Sequence, residues 1–309
     1  MLRASEVFFD SGGVRCAADL YLPPDAAGPV PCVVMGHGAS GTKRLGLPAY
    51  AEKFADGGIA VLAFDYRGFG ASDGEPRQVI DVEPQRADYR AAVRCARSLD
   101  TIDPLRVALW GTSLSGGHVI AVAAGDPTVA AVVCQAPLID GLHRGLTGRH
   151  LVSREVARRT LGFAVAAARD VVNARRGAAP YLVPVVAPPG QVAAFTDPDA
   201  RAAFEAFGGE ATGWRNEIAP RFAFALPRYV PGTAERLAMP LLMCVADRDQ
   251  EASGAYAARV GAQAPWVEIR HFPCTHFEVY RPPAFDRISG IQLEFLRAHL
   301  LTRAPATTR

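Results

Sequence analysis

The run ALWGTSLSGGHVIAV (108–122) carries Ser113 where an apolar stretch gives way to small residues and then to a second apolar stretch. A serine hydroxyl is a poor nucleophile until a base takes its proton, and the base needs a carboxylate to orient it. A strand leading directly into small-x-Ser-x-small and then a helix forms a turn tight enough to strain the serine backbone and lift its hydroxyl above the strand end. Larger side chains two positions away on either side would collide with the flanking strand and helix, so Gly111 and the Ser115-Gly116-Gly117 run read as spacers. The usual pattern has glycine two residues after the serine; Ser115 departs from it and reads as small enough to fit. Later in the chain, PLLMCVADRDQ (240–250) runs an apolar strand into Asp247 and Asp249, and HFPCTHFEVY (271–280) runs one into His276. A histidine and a carboxylate are thus both available to a serine hydroxyl at strand ends, and the joint chemistry of the three is acyl transfer.

The elements that must position them are legible as apolar runs. VPCVVM (30–35), IAVLAF (59–64), LRVALW (105–110), VAAVVC (129–134), PLLMCVA (240–246) and WVEIRHF (266–272) are the pattern of parallel strands, most of them apolar almost throughout, as burial on both faces requires. PAYAEKFADGG and PQRADYRAAVRCARSL between them have helical spacing. The alternation predicts an α/β fold, a mostly parallel, helix-flanked sheet. SEVFFD and VRCAADLYLP, joined by SGG, predict an antiparallel hairpin at the sheet edge, and IQLEFLRAHL a closing helix. From 140 to 236 the alternation stops. This stretch has a basic, helix-like passage from Arg144 to Arg176, then Pro-rich PYLVPVVAPPG and aromatic FAFALPRYVPG, and reads as an inserted cap. The expected organisation is core 1–139, cap 140–236, core 237–300 and tail 301–309.

Composition narrows the function classes. Across 309 residues, 33 basic side chains balance 31 acidic ones with no block of like charge, which disfavours a nucleic acid or membrane-surface partner. No run of about eighteen apolar residues and no signal-peptide core is present, so the expected location is cytoplasmic. The six cysteines lack C-x-x-C spacing, which disfavours zinc and a disulfide framework. The Gly-rich DYRGFGASDG (65–74) lacks a Gly-Lys-Ser/Thr phosphate loop; Asp65 and Arg67 read as charged ties that hold it down.

MGHGASGTK (35–43), FDYRGFGASDG (64–74), GTSLSGG (111–117), LLMCVADRD (241–249) and CTHFEVY (274–280) fall in an order that resembles the α/β-hydrolase superfamily over nearly the whole chain. More narrowly, the chain is similar to bacterial serine hydrolases related to dienelactone hydrolases and to the X-Pro dipeptidyl-peptidase and cocaine-esterase group, some relatives of which are acyltransferases. The resemblance implies Ser113 as nucleophile and His276 as general base. Counting nine residues from Pro240 it implies Asp249 as the acid, with Asp247 and then Asp140 as alternatives. It also implies an oxyanion hole from the backbone N–H groups of Leu114 and Ala39, and no metal or organic cofactor.

Competing readings stand beside these. His37 is expected to shape its loop rather than act as the base, His271 to pack or face solvent, and His118 to pack between elements. The cap aromatics Tyr181, Phe195, Trp214, Phe222, Phe224 and Tyr229 are candidates to line a substrate pocket, with Trp214, Phe222 and Tyr229 singled out as substrate contacts, although most of the six read as the cap's own core. The function implied is hydrolysis of a moderately apolar small-molecule ester, thioester or lactone. The alternatives are an acyltransferase with the same three residues and a non-catalytic binding protein on the same fold. Nothing resembles a pocket for a peptide amino terminus, and no exposed apolar stripe decides between monomer and homodimer.

Overall fold

A computed structural model describes residues 4–143, 154–188, 190–195 and 198–301. The chain opens with β1 (Ser5–Asp10) and β2 (Arg15–Tyr21), which pair antiparallel through a turn at Gly12 and Gly13, both with positive φ. β3 (Val30–Gly36), β4 (Ala60–Phe64), β5 (Ile102–Thr112), β6 (Val132–Gln135), β7 (Leu241–Ala246) and β8 (Val267–Phe272) complete the sheet. Its order is β1-β2-β4-β3-β5-β6-β7-β8, with β2 antiparallel to β4 and every pairing from β4 to β8 parallel.

The apolar runs behave as their composition requires. β4, β6 and β7 are buried along their full length, and side chains alternate between two separate apolar layers, one on each face of the sheet. One layer is closed by α2 (Val82–Ser98) and α3 (Leu114–Ala123), the other by α1 (Pro48–Asp56) and α7 (Ala284–Leu300). The strand expected at 105–110 begins earlier, at Ile102, because that residue pairs with Val30 across a register shift in β3.

Between β6 and β7 the chain leaves the sheet. It forms α4 (Arg154–Arg175), α5 (Pro198–Ala206) and three short 3-10 turns; among the described residues its β pairing is the bridge Val183–Ile218. The first ten positions expected in the basic helix, 144–153, lie outside the described residues, as do 302–309 of the expected tail. Leu161, Val165 and Val172 are exposed within a narrow arc of α4, opposite buried Ala166, Ala167 and Asp170. Among the described residues no helix is long and apolar enough to cross a membrane.

A buried charge cluster ties the first half of the sheet to the loop after β3. Lys43 is fully buried, with Nζ 3.3 Å from Asp19 and 3.6 Å from Asp65. Asp65 also accepts from the N–H groups of Lys43 and Ala71, at 2.6 and 2.9 Å. Arg67 is tied separately, bonding the carboxylate of buried Asp88 at 2.6 and 2.9 Å and the Ser11 carbonyl at 3.0 Å.

Candidate active site

Ser113 occupies the one-residue turn between β5 and α3 with φ 54° and ψ −119°, a strained backbone for a residue bearing a Cβ. Its N–H donates to Gln135 O at 2.9 Å and its carbonyl accepts from Gly116 and Leu138, so both flanks hold the strain in place. The small neighbours are needed. A Cβ on Gly111 would run into the backbone of Ser115, and one on Gly116 would come within 2.7 Å of Pro137.

The structure brings Ser113, His276 and Asp249 together. His276 Nε2 lies 3.0 Å from Ser113 Oγ, and its Nδ1 lies 2.7 Å from Asp249 Oδ2. The other Asp249 oxygen accepts the N–H groups of Glu251 and Ala252 at 2.8 and 2.9 Å, which locks the carboxylate. Since that carboxylate only accepts, Nδ1 carries the ring proton and Nε2 is left with its lone pair toward the serine. The side chains of His276 and Asp249 are 5% and 2% exposed.

The alternatives sit elsewhere. His271 and Asp247 make their own 2.7 Å contact, but on the surface, with side chains 53% and 43% exposed. Asp140 is spent on the N–H groups of Leu142 and Tyr229, at 2.8 and 2.9 Å; burial works against its charge, yet these bonds hold its carboxyl below the usual range. His118 is buried with Nε2 3.1 Å from Gln85 Oε1.

Leu114 is the first residue of α3, where N–H groups have no partner within the helix. Ala39 lies in the loop after β3, and a Cβ on the preceding Gly38 would approach Ser113 Cβ to 3.1 Å, so this loop rides directly over the serine. His37 orients it. Its Nδ1 is 2.8 Å from Gly38 O, which also accepts from Gly41 N at 3.2 Å. The Gly38 carbonyl and the Ala39 N–H belong to one planar trans peptide and point in opposite directions, so fixing the first aims the second. Since a carbonyl only accepts, the bond needs a proton on Nδ1; burial, partly opposed by Asp65 and the Gly38 carbonyl, pushes the His37 pKa down.

Two cavities meet at Ser113, both bordered by Ala39 and Phe195. One, about 430 Å3 including its mouth, is lined by His276, Leu47, Phe204, Phe207, Phe277 and Tyr280. The other, about 350 Å3 with the open space at its mouth included, is lined by Leu114, Ile80, Leu138, Phe222, Leu226 and Glu251. Of the three cap residues expected to contact substrate, Phe222 lines a cavity. Trp214 is buried against Phe204 and its indole N–H is committed to Ser40 O at 2.7 Å. Tyr229 directs its hydroxyl to Glu235 and Gln263 at 3.3 and 3.2 Å. Neither lines either cavity. Phe195, Phe204 and Phe207 do, and Phe277 and Tyr280 sit in the motif that supplies His276; no periodicity marked any of them as lining.

A family model for X-Pro dipeptidyl-peptidases (S15 family) matches residues 12–181. The chain belongs to this S15 family, within the α/β-hydrolase fold. This S15-family chain is 41% identical over 293 residues to the quorum-quenching protein AidA of Acinetobacter baumannii, covering 94% of each chain. It is 37% identical over 183 residues to thiohydrolase aneE of Aspergillus aculeatus, covering 59% of this chain and 55% of that one. It is also 40% identical over 110 residues to polyketide transferase grgF of a Penicillium species, covering 36% and 37%. The crystal structure of the α/β hydrolase GrgF from Penicillium sp. sh18 superimposes with a TM-score of 0.76 over 97% of this chain and 100% of that one, at 24% identity. The protein is an α/β-hydrolase-family enzyme.

Proposed function

We propose that the protein is a serine hydrolase that cleaves a moderately apolar ester, thioester or lactone through an acyl-enzyme on Ser113. The observation that carries this is the continuous Asp249–His276–Ser113 hydrogen-bonded chain ending at the junction of two apolar cavities. His276 Nε2 takes the Ser113 proton as Oγ attacks the carbonyl carbon. The Leu114 and Ala39 N–H groups receive the negative oxygen, and Asp249 stabilises the imidazolium. His276 then returns the proton to the departing oxygen or sulfur, and the same ring activates the water that releases the acid.

The cavities give the substrate a direction. The leaving atom must lie within hydrogen-bond reach of Nε2, and His276 lines the first cavity and not the second. The leaving group therefore occupies the aromatic cavity of Phe204, Phe207 and Tyr280, and the acyl chain extends past Leu114 into the cavity of Phe222 and Leu226. The segment 140–236 acts as the cap that supplies Phe195, Phe204 and Phe222 to both.

A second reading, transfer of the acyl group to an alcohol, thiol or amine, is favoured by the same two-sided layout. Once the leaving group departs, its cavity accepts a second substrate as readily as water. The name of the transferase relative points the same way. The test is a panel of p-nitrophenyl esters, acyl thioesters and lactones, with free acid and acceptor conjugate quantified with and without added alcohols. Free acid as the main product at all acceptor concentrations supports hydrolysis; conjugate outpacing acid at millimolar acceptor supports transfer; a folded protein inert on every member contradicts both.

A further inference from the structure

Ser115 stands where an elbow of this kind has glycine, and its hydroxyl is bonded on both sides. It is fully buried, donates to the carbonyl oxygen of His37 and lies 2.6 Å from the Tyr66 hydroxyl. A carbonyl only accepts, so the single Ser115 hydroxyl proton goes to His37, and Tyr66 must be the donor to Ser115 Oγ. Tyr66 holds His37 from its other end as well: the Tyr66 N–H points at His37 Nε2 from 3.5 Å, and the two rings meet edge to face with centroids 4.9 Å apart. Space for this pair of hydroxyls is kept by Gly36, whose Cβ would come within 2.7 Å of the Tyr66 hydroxyl and 3.1 Å of Ser115 Oγ.

These bonds join two parts of the chain that the mechanism needs in register. Ser115 follows Leu114 directly on α3, and His37 aims the Ala39 N–H through the Gly38 peptide. The hydroxyl is thus a strut between the helix bearing one oxyanion donor and the loop bearing the other. With glycine at this position the His37 carbonyl would lose that donor in a buried site, and the loop would be tied to α3 by packing alone.

The structure assigns Ser115 a positioning role: its hydroxyl, oriented by Tyr66, sets the separation and aim of the two oxyanion amides. This rests on the serine-hydrolase reading above. Because the strut touches no part of the bound substrate's ground state, its loss acts on the tetrahedral intermediate, where donor geometry counts, and leaves initial binding alone.

The test compares wild type, Ser115→Ala, Ser115→Gly, Tyr66→Phe and the Ser115→Ala/Tyr66→Phe double variant on one p-nitrophenyl ester, with Ser113→Ala as the baseline. Each variant's affinity for a boronic acid, which forms a tetrahedral adduct on the serine, is measured alongside. For Ser115→Ala and Ser115→Gly, kcat should fall by about ten- to a hundredfold, less than deleting a donor outright, with KM within about threefold. Boronate affinity should fall in step with kcat/KM. Tyr66→Phe should lose less, and the double variant should be no worse than Ser115→Ala, since both act through one hydroxyl. Turnover that needs Ser113 but stays within about twofold of wild type in both Ser115 variants overturns the strut alone. Turnover that survives Ser113→Ala overturns the hydrolase reading and the strut together. Should both Ser115 variants fail to fold, Tyr66→Phe decides: an unchanged kcat and boronate affinity there overturns the proposal.

Discussion

His276 Nδ1 lies 2.7 Å from Asp249 Oδ2, a contact that His271 and Asp247 duplicate at the same distance on the protein surface. Burial separates the two pairs, and with it the ability to hold an imidazole in one orientation away from water. Asp249→Asn should therefore lower kcat by about 10³- to 10⁴-fold, since the amide favours the wrong ring tautomer. Asp247→Asn and His271→Ala should leave kcat within about twofold, as surface ion pairs contribute little. Steady-state kinetics on one ester suffice; a large loss in Asp247→Asn with Asp249→Asn intact would reassign the acid.

The two cavities should respond to enlargement independently. Phe222→Trp fills the acyl side and should cut kcat/KM for the longest accepted acyl chain by about tenfold, the scale of a methylene or two in a close-fitting pocket. The ranking of leaving groups should not change. Phe207→Trp should reorder the leaving groups and preserve the acyl-length profile. A matrix of acyl lengths against leaving alcohols measures both, and crossed effects would contradict the orientation.

Acid should weaken the fold through its buried histidines. Burial, reinforced by Arg86 and His37, pushes the His118 pKa down to about 3 from 6.5. The unfolded chain takes up a proton as pH falls below 6.5 while the folded ring refuses it. His118 therefore contributes stability that is fully present above pH 6.5 and is lost progressively toward pH 3, and His37 shifts in the same direction. In urea titrations between pH 7 and 4, His118→Gln should flatten the decline by close to one proton, or about 1.4 kcal/mol per pH unit. An unchanged slope would show that His118 is protonated, or exposed, in the native state.

The fold was largely legible because doubly buried strands are apolar throughout and helices are not, and parallel pairing follows from that alternation; the order of the strands in the sheet does not. The elbow was legible from a local steric rule. The acid was not decided by local pattern, since Asp247 and Asp249 end the same strand; spacing from Pro240, taken from the family, was needed. The cavity lining was harder still. Outside α4 and α5 the described residues between 140 and 236 follow no repeating period, so side-chain direction there depends on tertiary contacts: Trp214 turns inward to Ser40 while Phe195 lines a cavity with the serine. Ser115 shows a different limit, because size was readable from the sequence and the partners of its hydroxyl, 78 and 49 residues away, were not.

The most direct measurement is intact-protein and peptide mass spectrometry after brief exposure to a p-nitrophenyl ester or an alkyl fluorophosphonate, on wild type and Ser113→Ala together. The account predicts a single acyl or phosphonyl adduct on the peptide containing Ser113 in the wild type. The variant should show no adduct and lose essentially all ester turnover. Turnover retained in Ser113→Ala, or an adduct on another residue, would contradict it.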